Sequence, residues 1–281
     1  MIPLWLGYGL LAALFGTVSI IFKKKALKKE HSLEYLATFK LAELLTLVVL
    51  VPFISFSIPW TTLGFIYFLT LFSTIELILI AKAYRHMDVS LVAPLTNFSP
   101  AIVLVLAVVL LREHISLPQL VGIGFIVLGS VGLYEPAKKK RKKYLTILAG
   151  ALFIAGFVAV GEKYIIADLK PLTLLFYIYL FTFINSTILL ALWYDGIKGI
   201  VHGFKNAGTY IFGNAVFATL SNIAYFYALT LTFVSLVVPV KKLATFFAVA
   251  VSGNVFNEKH ILRKSSSCLV MLIGIFIIAV V

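Results

Sequence analysis

Charge is what this sequence has least of. Only 12% of its positions are Asp, Glu, Lys or Arg, against roughly a quarter in a soluble domain, so a water-soluble fold is excluded. Cysteine is almost missing as well. Cys268 stands alone, which rules out an intramolecular disulfide, and its place in the last apolar run makes it a small packing hydrophobe. There is no Asp-rich repeat, no paired His-Glu zinc motif, no phosphate loop and no nucleophile elbow. The five histidines (His31, His86, His114, His202, His260) fall in loops or at the edges of apolar runs, at unrelated spacings. Neither an enzyme nor a resident metal or other cofactor is therefore expected. Without an ATP-binding motif, any pumping needs another subunit.

What is present is apolar sequence: 62% of the 281 residues are hydrophobic and the mean hydropathy is +1.07. A helix crosses the hydrocarbon core with about 20 mainly apolar residues, which predicts an all-α integral membrane protein of ten transmembrane helices and no sizeable soluble domain. The expected spans are 3–22, 33–53, 60–83, 89–111, 117–134, 144–166, 171–194, 209–230, 234–256 and 266–281. The first reads as a reversed signal anchor, because its positive cluster follows it.

The basic residues are unevenly placed. Net charge is +13, and in so apolar a chain this reads as basic loops at an anionic leaflet of the lipid bilayer, with no nucleic acid. One side of the expected topology carries Lys23, Lys24, Lys25, Lys28, Lys29, Arg85, the run at 138–143, Lys198, Lys205, Lys259, Arg263 and Lys264; the other has only Arg112 and Lys170. The positive-inside rule places the rich side in the cytoplasm of a multi-pass cell-membrane protein and both termini outside. The basic linker, 135–143, is read as a solvated loop that fixes topology, with a specific lipid or partner site as the alternative.

The two sides of that linker repeat. At an offset of 145, Val89-Ser-Leu-Val-Ala-Pro94 matches Val234-Ser-Leu-Val-Val-Pro239, Glu113 matches Glu258, and Gly129 matches Gly274. At an offset of 140, Gly16 matches Gly156 and Lys23 matches Lys163. Residues 1–134 and 144–281 are thus expected to be two five-helix repeats. An odd number of crossings inverts one copy relative to the other, the architecture of alternating-access transporters that hold solute near the midplane.

Ala83-Tyr84, Val89-Ser-Leu-Val-Ala-Pro94, Ser99-Pro100, Leu111-Arg-Glu113 and Gln119-Leu-Val-Gly122 through Gly129 resemble the half-domain of the EamA-type drug/metabolite transporter superfamily. Ala228, Val234-Ser-Leu-Val-Val-Pro239, Asn257-Glu258 and Gly274 resemble the same pattern less closely. The resemblance covers nearly the whole chain. It implies ten helices, a cavity lined by helices one to four and six to nine, and secondary transport or facilitated export of small metabolites such as amino acids. A departure is Lys241-Lys242 where the first copy has Thr96-Asn97.

Charged groups in hydrocarbon cost several kcal/mol, so those present should face a cavity or a partner. Glu43 is about 15 Å deep at 1.5 Å per residue, with Lys40 one turn away as its expected neutraliser. Glu76, about 10 Å deep, is a candidate for exchanging protons; the alternative is an interhelical pair with Lys40 or a Tyr hydroxyl. Lys241 and Lys242 lie about 11 Å deep and point about 100° apart. Lys242, the repeat mate of Asn97, is expected to meet an anionic group of the solute, and Lys241 to pair with Glu162. Asn97, Asn222 and Tyr179 complete the expected solute-binding set. Pro94 and Pro239 each remove a backbone hydrogen bond and are expected to form a hinge or cavity wall. Asn185 and the small residues Gly9, Ala12, Ala13, Gly16, Ala151 and Ala155 read as interhelical packing. The expected partners are a small carboxylate-bearing solute, the bilayer, and protons as a candidate coupling ion. The alternative cargo is an organic cation, if Glu43 and Glu76 are the unpaired charges; a membrane-embedded enzyme is the remote alternative.

Overall fold

The computed structural model describes residues 3–112, 115–131, 139–193, 196–256 and 261–280. Glu113, Glu258, His114, His260 and residues 135–138 of the basic linker fall outside them. Within them the chain is all-helical: α1 (Leu4–Leu27), α2 (Ser32–Leu47), α3 (Trp60–His86), α4 (Val89–Leu95), α5 (Ser99–Leu111), α6 (Leu117–Val131), α7 (Lys139–Ile166), α8 (Pro171–Trp193), α9 (Ile197–Leu231), α10 (Val234–Lys241), α11 (Leu243–Phe256) and α12 (Ile261–Val280). Seven segments among the described residues are long and apolar enough to cross a membrane: Leu4–Leu27, Ser32–Phe53, Trp60–His86, Leu91–Leu111, Lys142–Ile166, Pro171–Trp193 and Val234–Gly253; Leu117–Gly129 is a shorter apolar helix. Large apolar side chains such as Trp60, Val49, Leu117 and Leu192 stand exposed on the outside, as a lipid-facing surface requires.

Local chemistry sets the helix ends. His31 caps α2 by accepting the Leu33 N–H at Nδ1, 3.4 Å away. Burial first, then the nearby Arg85 cation, hold its pKa below the ordinary histidine value, which favours the neutral ring that can accept. Gly196 begins α9 from a φ of +57°, a backbone region that side chains disfavour. Two segments expected as single spans are broken. The first is interrupted by a 3-10 turn at Thr96–Phe98, and the second at Lys242, whose N–H is shared between the Val238 and Pro239 carbonyls. Thr96 Oγ1 donates to Ala93 O and Thr245 Oγ1 to Lys242 O, both at 2.7 Å, a back-bonding that bends helices. Each break comes just after the proline expected to mark it.

Two expected boundaries move. The basic run becomes helical from Lys139 onward, so 135–143 is not a loop throughout. The span expected at 209–230 begins a dozen residues earlier, at Ile197. Gly199, Ile200, Gly203, Ala207 and Ile211 form a buried stripe there while Lys198, His202, Lys205 and Asn206 face outward. That amphipathic face lowers the average hydropathy that a span search depends on.

Packing pairs α1 with α9 and α3 with α7; α2 with α9 and α3 with α8; α1 with α11 and α5 with α7; α4 with α11 and α5 with α10; and α6 with α12. In lipid such contacts depend on close van der Waals fit, which small residues permit. At the α6–α12 seam a Cβ on Gly129 would fall 2.6 Å from the Ser267 carbonyl and from Met271, and one on Gly274 would overlap the Gly122 carbonyl and press on Ile126. On α1, a Cβ on Gly9 would meet Val240 and one on Gly16 would meet Ala244, while Ser221 Oγ donates to Ala12 O at 2.7 Å.

Two lysines tie helix ends together. Lys24 Nζ of α1 donates to Tyr84 O and Met87 O at the end of α3, both at 2.6 Å. Lys163 Nζ of α7 donates to Leu229 O and Thr232 O at the end of α9, at 2.7 and 2.8 Å. A cation on terminal carbonyls satisfies acceptors with no intrahelical partner and complements the helix dipole. The structural counterpart of Lys163 is therefore Lys24, one place along from the expected Lys23.

Candidate functional site

Two cavities of about 240 and 270 Å³ lie inside the helical bundle and share part of their walls. The shared stretch is Lys40, Glu76, Leu77, Asn222, Lys241 and Lys242. From there one cavity continues to Glu162, Tyr179 and Tyr225, and the other to Lys23, Glu43, Tyr84 and Thr96. Each is slightly smaller than the roughly 300 Å³ at which pockets for drug-sized ligands begin, so the space suits a small solute.

The backbone breaks and helix faces deliver these groups. Lys40 and Glu43 are one turn apart on α2 and meet at 2.6 Å, both almost fully buried. Lys40 Nζ also lies 4.9 Å from the Tyr179 ring centroid. Lys241 Nζ donates to Asn222 Oδ1 at 3.0 Å and sits 3.8 Å from the centroid of Tyr225, a cation–π distance. Asn222 Nδ2 donates in turn to the Tyr179 hydroxyl at 3.0 Å, and the Tyr179 ring lies under the Lys40 ammonium that binds Glu43. Lys241, Asn222, Tyr179, Glu43 and Lys40 thus form one continuous polar chain across the bundle. Glu162 lines the same cavity as Lys241 and Tyr225, but among the described residues the expected Lys241–Glu162 ion pair does not form, because the Lys241 ammonium goes to Asn222.

Glu76 and Lys242 stand apart from that polar chain. Both are half-buried on the wall shared by the two cavities. Their charges feel one another, but among the described residues neither side chain makes a hydrogen bond or an ion pair. They are the charged groups of the shared wall that the protein itself leaves available.

Asn97 is not among the wall residues. It is fully enclosed, with Nδ2 donating to Thr245 Oγ1 at 2.9 Å and lying 3.3 Å from Met271 Sδ. The 3-10 turn rotates it away from the cavity and presents Thr96 there instead, so the sequence alignment of Asn97 with Lys242 does not carry over to the cavity wall. Pro239 lies buried inside α10; Pro94 lies in α4, its side chain outside the described residues. Asn185 donates to Thr74 Oγ1 at 3.4 Å, as interhelical packing. Sequence reasoning missed Lys23, Ser19 and Tyr84 on the cavity wall. By sequence Lys23 belongs to the basic cluster after the first span, but α1 continues to Leu27 and keeps it in the helix.

The fold is that of a multi-pass helical membrane protein with a polar interior cavity. The EamA-like transporter family matches at residues 3–134 and again at 142–280, and the chain belongs to that family. It is 27% identical over 124 residues to an uncharacterized protein of Methanocaldococcus jannaschii, a stretch that is 44% of this chain and 90% of that protein. A solved crystal structure titled only as that of a protein matches 96% of this chain and 98% of its own, with a TM-score of 0.67 at 14% identity. That likeness concerns the fold alone.

Proposed function

We propose that the chain is a secondary transporter or facilitated exporter of a small carboxylate-bearing metabolite, with an amino acid as the leading candidate, working by alternating access between two inverted five-helix halves. The observation that carries this reading is the unpaired Glu76 and Lys242 on the wall common to both cavities. Lys242 receives the solute carboxylate, and Glu76 faces a solute cation or exchanges a proton. Asn222 and Tyr179 hold the polar chain beside them, with Lys40, Glu43, Lys241 and Glu162 as its fixed charges. The cavities are lined by four lysines (Lys23, Lys40, Lys241, Lys242) and three glutamates (Glu43, Glu76, Glu162), an excess of positive charge that suits an anionic or zwitterionic solute.

Several contacts support two inverted halves. Exchanging α1 with α7, α2 with α8, α3 with α9, α4 and α5 with α10 and α11, and α6 with α12 turns α1–α9 into α3–α7, α2–α9 into α3–α8, α1–α11 into α5–α7 and α4–α11 into α5–α10, and leaves α6–α12 as itself. The seam glycines obey the same exchange: Gly129 meets Ser267 and Met271, and Gly274 meets Gly122 and Ile126, every partner displaced by 145 positions. The carbonyls held by Lys24 and Lys163 are displaced by 145 as well. The archaeal relative, of which the chain covers 90% with only 44% of its own length, is the size of one half. Counting α6, α9 and α12 with the seven long apolar segments makes ten crossings. The breaks after Pro94 and Pro239 are then equivalent points at which the two halves flex.

Proteoliposome flux across a panel of amino acids, other carboxylates and organic cations tests the reading. Saturable flux of a carboxylate that falls sharply in Lys242→Ala is expected. Flux confined to organic cations, lost in Glu76→Gln and untouched in Lys242→Ala, would overturn it. Imposing a pH gradient on the same vesicles tests coupling: flux indifferent to the gradient removes the proton from the mechanism.

A further inference from the structure

Away from the cavities, the corner between α1 and α2 meets the first turns of α9. Glu30 sits in the corner, Glu34 in the first turn of α2, and His202 in the second turn of α9. One ligand-type atom from each lies within 4.8 Å of the others. His202 Nδ1 is 3.8 Å from Glu34 Oε1, close to the roughly 3.4 Å that separates ligand atoms bound about 2.1 Å from one tetrahedral ion.

The second observation is Glu30 itself. It is only 3% exposed, and its Oε1 has no hydrogen-bond donor among the described residues. A buried carboxylate oxygen without a donor costs free energy, and the residue that carries it lies against a second carboxylate and an imidazole. Surface acidic clusters are common, but they are solvated; this one has one buried oxygen lacking any partner. Access from outside runs past His202, whose side chain is 62% exposed, while Glu34 is 14% exposed. Asn206, one turn further along α9, reaches the His202 ring at 3.2 Å.

We infer that Glu30, Glu34 and His202 form a site for a divalent transition-metal cation, zinc by its donor set, which pins the α1–α2 corner to α9. Two carboxylates with one imidazole suit a borderline ion better than the oxygen-only preference of calcium or magnesium. The ligands lie four positions apart on one segment and about 170 positions away on another (~170 by numbering, invisible to any local spacing rule), which is why the sequence carries no motif for the site.

The test uses the full chain, with its affinity tag removed, in lipid nanodiscs. Titration with zinc chloride, followed by calorimetry and by thermal unfolding, is expected to saturate at one ion per chain and to raise Tm. Cobalt(II) is expected to give the visible absorption of a low-coordinate nitrogen and oxygen site, displaced by zinc. Glu30→Gln and His202→Ala are each expected to weaken binding by more than the roughly 10–100-fold lost with an outer-shell partner alone. No saturable zinc binding, or binding unchanged in His202→Ala, overturns the inference. Saturation by calcium or magnesium that ignores His202→Ala overturns the assigned donor set. His202 is on the surface, so its variant keeps the test decisive even where Glu30→Gln does not fold.

Discussion

The α6–α12 seam and the wall of the central cavities use the same two stretches of related sequence in opposite ways. At the seam the partners are interchangeable: each glycine lies against the position 145 places from the other's partner. At the helix breaks they are not. Thr96 lines one cavity and Asn97 is enclosed, while the matching Lys241 and Lys242 both reach the cavity wall. Close packing tolerates little change in volume, so a seam of backbone against backbone keeps its pairing. A cavity wall has no such constraint, and there the two stretches differ by two full positive charges. The difference separates what holds the bundle together from what lines the proposed solute cavity.

The largest effect is expected where that difference is erased. Lys242→Asn gives the second break the residue found at the first. Losing a hydrogen bond to a charged group costs about 1.5–3 kcal/mol, roughly a tenfold to hundredfold fall in apparent affinity for the transported solute, with Tm unchanged. Transport kinetics beside thermal unfolding in the same lipid check it; a fall in Tm with KM unmoved would return Lys242 to a structural role.

Next comes the seam. Gly129→Ala and Gly274→Ala are each expected to lose about 1–3 kcal/mol from forced displacement of packed helices, by similar amounts because the crowding is reciprocal. Gly124→Ala is the control on α6, since a Cβ there meets nothing within 4 Å; it should be neutral or slightly stabilising through helix propensity. Reversible unfolding in mixed micelles reads all three. Equal gains at all three glycines would show that propensity and not fit was measured.

The lysine ties should rank below the seam and should differ from each other. Lys24 is 7% exposed whereas Lys163 is half-buried, so water can replace Lys163 at its carbonyls more easily. Lys24→Met is expected to cost about 1–2 kcal/mol through carbonyls left without a donor, and Lys163→Met less. The pair of melting temperatures decides it.

Much of the bundle is legible because long apolar runs in lipid have one outcome: the hydrocarbon demands that every backbone polar group be satisfied within the helix. The polar residues inside those runs are legible for the same reason. Lys40, Glu43, Glu76, Lys241, Lys242 and Asn222 come together at the cavities as a consequence of the cost of leaving any of them in lipid. Rotation about the helix axis is what spacing does not carry. One 3-10 turn at Thr96–Phe98 moves Asn97 off the wall, and five more helical residues after position 22 bring Lys23 onto it. The start of α9 escaped because its buried stripe of Gly199, Gly203 and Ala207 is small rather than strongly apolar. Its fit depends on the facing Thr38 of α2, against which a Cβ on Gly203 would collide, and no hydropathy window contains that partner.

The smallest expected effect is also the one that separates the two regions most finely. Asn97 is related by offset to Lys242, yet its amide is spent on Thr245 and Met271. In Asn97→Ala, Thr245 Oγ1 keeps its bond to the Lys242 carbonyl at 2.7 Å, so only the interhelical half of its bonding is lost. A neutral, net-weighted hydrogen bond contributes about 1 kcal/mol, and the expected outcome is a fall in stability of that order with transport KM unchanged. Should KM shift while Tm holds, Asn97 is on the solute path in another state of the protein, and the two breaks are functionally equivalent after all. If stability alone moves, the first break is a joint between α4 and α11, and the solute is read by one half of the molecule only.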